Sequence, residues 1–177
     1  MAEQDPVRYP IGRFTRGEPV PASRWVELLH SLDRFPATLR SVVAHLPPRE
    51  LEAGYREGGW TVRQLVHHLP DSHLNAFVRI KLALTEDAPP VKPYDESLWA
   101  KLPDSALPVA ISLDLLDALH ARWTALLRAL PEEGKARCFR HPDWGLIRVD
   151  ETVALYEWHG RHHLAHIRAA LARHTAY

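Results

Sequence analysis

Four histidines stand within eight positions in WHGRHHLAHI, residues 158–167. Imidazole is the commonest metal-ligating side chain, and two imidazoles one helical turn apart can aim at a single ion, so the H-x-x-x-H spacing of His159 and His163 is that of a helical metal site. His162 and His166 repeat the spacing. On a helix turning ~100° per residue with His163 at zero, His159 falls near ~−40°, Tyr156 near ~20°, Ile167 near ~40° and Ala170 near ~−20°. Arg161 and Arg168 take the opposite side, so the His159/His163 face is expected to point inward. His162 and His166, near ~−100° and ~−60°, lie on its flank.

A third ligand has to come from another element, and HHLPDSH, residues 67–73, offers His67, His68 and His73. The apolar stripe of that segment passes through Val62, Val66, Leu69, Phe77, Ile80 and Leu84 and takes in His73, with His68 at its edge and His67 on the outer side. Pro70 removes a backbone hydrogen bond and bends the helix beside these residues, so phase leaves His68 and His73 level as candidates.

Four long amphipathic segments position these residues. The first spans about 23–45, with Trp25, Leu28, Leu29, Leu32, Leu39, Val42 and Val43 at helical spacing and Pro36 expected to kink or split it. The second opens at GGWTVRQ, where Thr61 and Gln64 form a capping-box pattern, and runs to about Leu84. The third, about 112–130, carries Leu115, Leu116, Leu119, Trp123, Leu126, Leu127 and Leu130 on one stripe. The fourth opens after Asp150, a good N-cap residue, and runs to about His174. A proline-rich crossing from Thr85 to Ile111 joins the second to the third, and CFRHPDWGLIRV, residues 138–149, reads as a small β-hairpin. This pattern predicts an all-α fold, a four-helix bundle with a long crossover and one hairpin, in a single domain over 1–177.

Composition narrows the function classes. Lysine plus arginine equals aspartate plus glutamate, 22 each, with no basic strip, which argues against nucleic acid and for a small-molecule substrate. The only cysteine, Cys138, has no internal disulfide partner. The first residues lack a basic start and an apolar run, and no stretch is long and apolar enough to span a membrane, so a cytoplasmic protein is expected.

YPIGRF (9–14), YREGGWTVRQLVHHLPDSHLNAF (55–77), IKLALTEDAPPVKPYDESLWA (80–100), HARWTALL (120–127) and YEWHGRHHLAHI (156–167) together resemble the DinB-like metal-dependent proteins, and within them the YfiT branch of metal-dependent hydrolases. The resemblance implies a four-helix bundle with a single divalent metal, zinc or nickel, on three histidines. Carried onto this sequence, the second histidine of the HH pair is His68 and the terminal H-x-x-x-H is His159 and His163. Pro70 departs from the pattern, since relatives usually have alanine in HHLADSH. The resemblance also suggests a homodimer, with Trp158, on the side of the last helix away from the metal face, as a contact.

Three neutral imidazoles leave a metal position open to water, the arrangement of catalytic zinc rather than closed structural zinc. Such a site could serve hydrolysis or thiol transfer; the resemblance implies metal-dependent hydrolysis first, with transfer of a low-molecular-weight thiol such as bacillithiol the alternative. The non-catalytic alternative is a bundle whose site is closed by Cys138 or His73. Asp71 and His73 are candidates for catalysis or for supporting the ligands, and Asn75 and Arg79, at ~−20° and ~20° from His68, for substrate contact. With ordinary histidine pKa values near ~6.5, metal affinity is expected to fall below about pH 6.

Overall fold

Residues 5–174 are described by a computed structural model. Along them run helices α1 (Ala22–Val43), α2 (Pro48–Leu51), α3 (Val62–Thr85) and α4 (Glu96–Trp99), a 3-10 turn (Pro103–Ala106), α5 (Val109–Arg128), α6 (Glu132–Ala136), strands β1 (Cys138–His141) and β2 (Gly145–Arg148), and α7 (Val149–His174). The four long helices α1, α3, α5 and α7 form the bundle. Both α1 and α3 pack against both α5 and α7, so the order around the bundle is α1, α5, α3, α7. The long crossing between α3 and α5, broken by α4 and the 3-10 turn, carries the chain from one helix to its neighbour.

Local chemistry explains where the helices begin. The Thr61 hydroxyl accepts from the Gln64 amide at 3.2 Å, and the Gln64 side chain accepts from the Thr61 amide at 3.0 Å, the reciprocal pair that starts α3. Helix α7 begins at Val149, two residues earlier than the sequence suggests. Asp150 sits inside its first turn, accepting from the Val20 amide at 2.8 Å and from Arg148 at 2.9 Å. Neither proline breaks its helix: α1 runs through Pro36 and α3 through Pro70. The hairpin forms as expected, with Phe139 opposite Ile147 and Gly145 at a φ of 71°, a left-handed turn that glycine adopts at little cost.

The core divides in two. One cluster holds Trp25, Leu28, Leu32, Phe77, Trp123 and Val153; the other holds Leu39, Leu65, Leu69, Leu113, Leu116 and Ile167. Each such side chain, taken out of water, contributes roughly 1.5–3 kcal/mol. Between the clusters stand buried or half-buried histidines: His68 and His73 on α3, His120 on α5, His159 and His163 on α7. The α5 stripe sits differently from the expectation, with Leu115 45% exposed while His120 is buried among Leu116, Leu119 and Trp123.

Gly160 keeps this layer closed. A Cβ there would stand 3.0–3.1 Å from the Phe35 ring, which itself stacks on His73 at 5.7 Å. Gly160→Val is therefore expected to destabilise the fold by about 2 kcal/mol through overpacking, seen as a lower urea midpoint with an unchanged slope.

Candidate metal centre

His68 on α3 and His159 and His163 on α7 point their imidazoles at one another across the helix pair. His159 Nε2 lies 3.2 Å from His68 Nε2 and 3.1 Å from His163 Nε2, and one ring nitrogen from each of the three lies within 4.8 Å of the others. Two nitrogens bound tetrahedrally at ~2.0–2.1 Å from zinc stand roughly 3.3 Å apart, so the spacing matches a zinc-sized ion. The donor set fits as well, because all three rings are held neutral. Burial pushes His68 down to about 4, and burial, followed by the neighbouring imidazoles, pushes His159 and His163 well below the ordinary histidine range. The onset of metal loss is therefore expected below the value near 6 that unperturbed histidines suggest.

The three rings line an open cavity of about 880 Å³. Its walls come from distant parts of the chain: Tyr9, Arg13 and Phe14 from the N-terminal segment, Tyr94 from the crossing, His141 and Trp144 from the hairpin, Arg79 from α3 and Tyr156 from α7. Burial raises the Tyr94 phenol to about 12 and also raises Tyr156, with the Ser72 hydroxyl working against both shifts. Both phenols are thus protonated hydrogen-bond donors in the neutral range. Arg79 is tethered by a bond to the Lys92 carbonyl at 3.1 Å.

The other singled-out residues fall elsewhere. His73 is fully buried behind the trio, where His73 Nε2 lies 3.3 Å from His159 Nδ1 and His73 Nδ1 lies 2.8 Å from His120 Nε2. It does not border the cavity and is not among the three histidines whose nitrogens converge. Asp71 also lies outside the cavity, turned toward Asp104, and burial raises its carboxyl to about 6. Asn75 donates to the Asp71 carbonyl at 2.9 Å and lines a separate groove with Tyr94 and Trp99, whereas Arg79 does line the metal cavity. Cys138 lies on β1 in a different hollow, its thiol 3.3 Å from the Ala136 carbonyl, out of place for closing the site.

One phase reading needs correction. His67, expected on the outer side, is 6% exposed, because the crossing covers it: its ring bonds the Leu107 carbonyl at 3.0 Å and Ser112 Oγ at 2.7 Å. His162 and His166 are buried too, capped by Trp158 stacked on His162 at 4.5 Å and by Tyr55 stacked on His166 at 4.1 Å. Trp158 borders the cavity and lies 6.0 Å from Phe14, so the unhoused tryptophan on which a homodimer contact was expected is housed within the chain. His162, His163 and His166 also come within ligating distance of one another, but they share His163 with the first set and only that set includes a second helix. Sequence reasoning passed over His120, although its place on the α5 stripe, one turn from Leu116 and from Trp123, was a signal.

No helix among the described residues is long and apolar enough to cross a membrane. In sequence, the chain is 47% identical over 167 residues to a protein of Bacillus cereus named "Putative metal-dependent hydrolase", with 94% of this chain and 96% of that one covered. A counterpart with the same name in Oceanobacillus iheyensis is 46% identical over 166 residues, with the same coverage. In structure, YfiT from Bacillus subtilis, described as a probable metal-dependent hydrolase with an unusual four-helix bundle topology, superposes with a TM-score of 0.92 at 42% identity, covering 97% of this chain and 99% of that one. The mycothiol-dependent maleylpyruvate isomerase shares the fold at a TM-score of 0.63 and 17% identity, over 82% of this chain and 60% of that one. Residues 31–167 match the DinB superfamily, and with these relatives matched almost end to end and this bundle around its histidine layer, the chain belongs to that superfamily.

Proposed function

We propose that the chain is a metal-dependent hydrolase that holds one divalent ion, zinc or nickel, on His68, His159 and His163. The observation that carries this reading is the convergence of three neutral imidazoles from two helices on the wall of an open cavity. Three protein ligands rather than four suit catalysis, and neither Cys138 nor His73 reaches the cavity to supply a fourth. When bound, the ion supplies Lewis-acid activation of water at neutral pH. The protein's own groups do the rest. Tyr94 and Tyr156, kept protonated by burial, donate hydrogen bonds where negative charge develops, and Arg79 places a cation in the same wall. Phe14, Trp144 and Trp158 offer an apolar surface for the body of a small-molecule substrate.

A second reading is metal-dependent transfer of a low-molecular-weight thiol. The size of the cavity favours it, since about 880 Å³ has room for a thiol beside an acceptor, and a protein of the same fold is named as mycothiol-dependent. Assay of the zinc-loaded protein against esters, amides and thiol–electrophile pairs, each with and without added thiol, separates the two. Hydrolysis without thiol, lost on chelation, is the expected result. Turnover that requires thiol establishes transfer instead, and a protein that binds no divalent metal sinks both readings.

A further inference from the structure

A chain of hydrogen bonds crosses all four long helices and ends on the metal site. It starts at the Leu32 carbonyl on α1, passes through His120 on α5 and His73 on α3, and reaches His159 on α7, with successive distances of 2.7, 2.8 and 3.3 Å. Pro36 explains why the first group is available. In an α-helix the Leu32 carbonyl accepts from the amide four residues on, and proline at that position has no N–H to give.

The direction of the chain follows from its first group. A carbonyl oxygen only accepts, so His120 Nδ1 carries the hydrogen. In a neutral imidazole the other nitrogen is then a lone pair, so His120 Nε2 accepts and His73 Nδ1 donates. The same logic makes His73 Nε2 the acceptor and His159 Nδ1 the donor. His159 Nε2 is left as a lone pair, at the point where it faces His68 and His163. His73 and His120, 0% and 1% exposed, have no water with which to exchange these roles.

We infer that His120 is a positioning residue for the metal centre: through His73, and anchored on the Leu32 carbonyl freed by Pro36, it locks His159 in the tautomer whose Nε2 lone pair faces the ion. This rests on His68, His159 and His163 being the ligands. Without the acceptor at His120, His73 is free to turn its hydrogen toward His159. His159 then places its own hydrogen on Nε2 and has to switch tautomer before it binds, which lowers the affinity by the fraction of competent molecules. The hydrogen bond from Nδ1 also makes His159 a more basic ligand. His163 has no comparable support, since its Nδ1 is buried with no partner among the described residues.

The test has two arms. Long-range ¹H–¹⁵N correlation of the metal-free, full-length protein reads the tautomer of each imidazole, and the expected result is Nδ1–H at His120, His73 and His159. Zinc titration against a competing chelator then compares the wild type with His120→Leu, which removes the acceptor, and His120→Gln, whose amide oxygen can restore it. His120→Leu is expected to weaken zinc at least ~10-fold, and His120→Gln to recover most of that loss. Nε2–H at His159 in the wild type overturns the inference, as does His120→Leu binding zinc as tightly as the wild type, or His120→Gln binding as weakly as His120→Leu. Should His120→Leu fail to fold, the wild-type spectrum and His120→Gln decide. If the wild type binds no zinc, the ligand assignment fails, while the spectrum of the metal-free protein still decides the direction of the hydrogen-bond chain.

Discussion

Alanine at His159 is expected to reduce bound zinc from one equivalent per chain to a trace, because two imidazoles rarely hold a divalent ion as three do. His159 is central to the trio, its Nε2 within 3.2 Å of Nε2 of both His68 and His163, and its Nδ1 bonds His73, so its loss removes a proposed ligand and the end of the hydrogen-bond chain together. His68→Ala and His163→Ala are expected to lose the metal likewise. His73→Ala keeps all three ligands and is expected to retain the site with affinity weakened ~10–100-fold, the usual cost of removing a group that orients a ligand. His162→Ala, which removes a ring stacked on Trp158 rather than a member of the trio, is expected to keep one equivalent. Metal content per chain after dialysis measures all five. If His68→Ala keeps its zinc while His73→Ala loses it, the third ligand is misassigned.

Mild acid is expected to destabilise the metal-free protein steeply between pH 6.5 and about 4. Burial lowers the pKa of His67, His68, His73, His120, His159, His162, His163 and His166, to about 4 for His68, His120 and His162. In the unfolded chain the same groups titrate near 6.5. Within that window the unfolded state binds more protons than the folded one, so stability rises with pH and falls as acid is added. His120 alone, shifted from 6.5 to about 4, contributes a loss on the order of 3 kcal/mol once the pH is below both values. Asp71 works the other way: its carboxyl is raised to about 6, so the folded state gains protons first and is favoured as pH falls from 6 toward 4, but it is one group against these eight histidines and His141, which burial also lowers. Urea midpoints at pH 7.5, 6 and 5 check this, and a midpoint unchanged across that range contradicts it. Zinc, which needs the neutral imidazoles, is expected to shift the loss to lower pH.

Much of this molecule is legible along the chain because it depends on local rules. The Thr61–Gln64 pair marks the start of α3, alternation and a glycine mark the hairpin at 138–148, and the 3.6-residue period places His159 and His163 on one face of α7. The prolines do not end their helices, since packing against α5 and α7 holds α1 and α3 across the missing N–H. What periodicity cannot decide is which residues of different helices meet. Phase on α3 left His68 and His73 level, and the position of His73, the more deeply buried of the two, behind His159 rather than beside it depends on α7 and α5 lying on either side of α3. The covering of His67, His162 and Trp158 by the crossing and the N-terminal segment is likewise a matter of non-local contacts, made by irregular chain that carries no period to read. The sequence by itself therefore determined the helices and the donor types. Only the packed bundle, by bringing Leu32, His120, His73 and His159 into one line, decided which imidazoles face the cavity and which stand behind them, because hydrogen-bond direction is a property of neighbours in space.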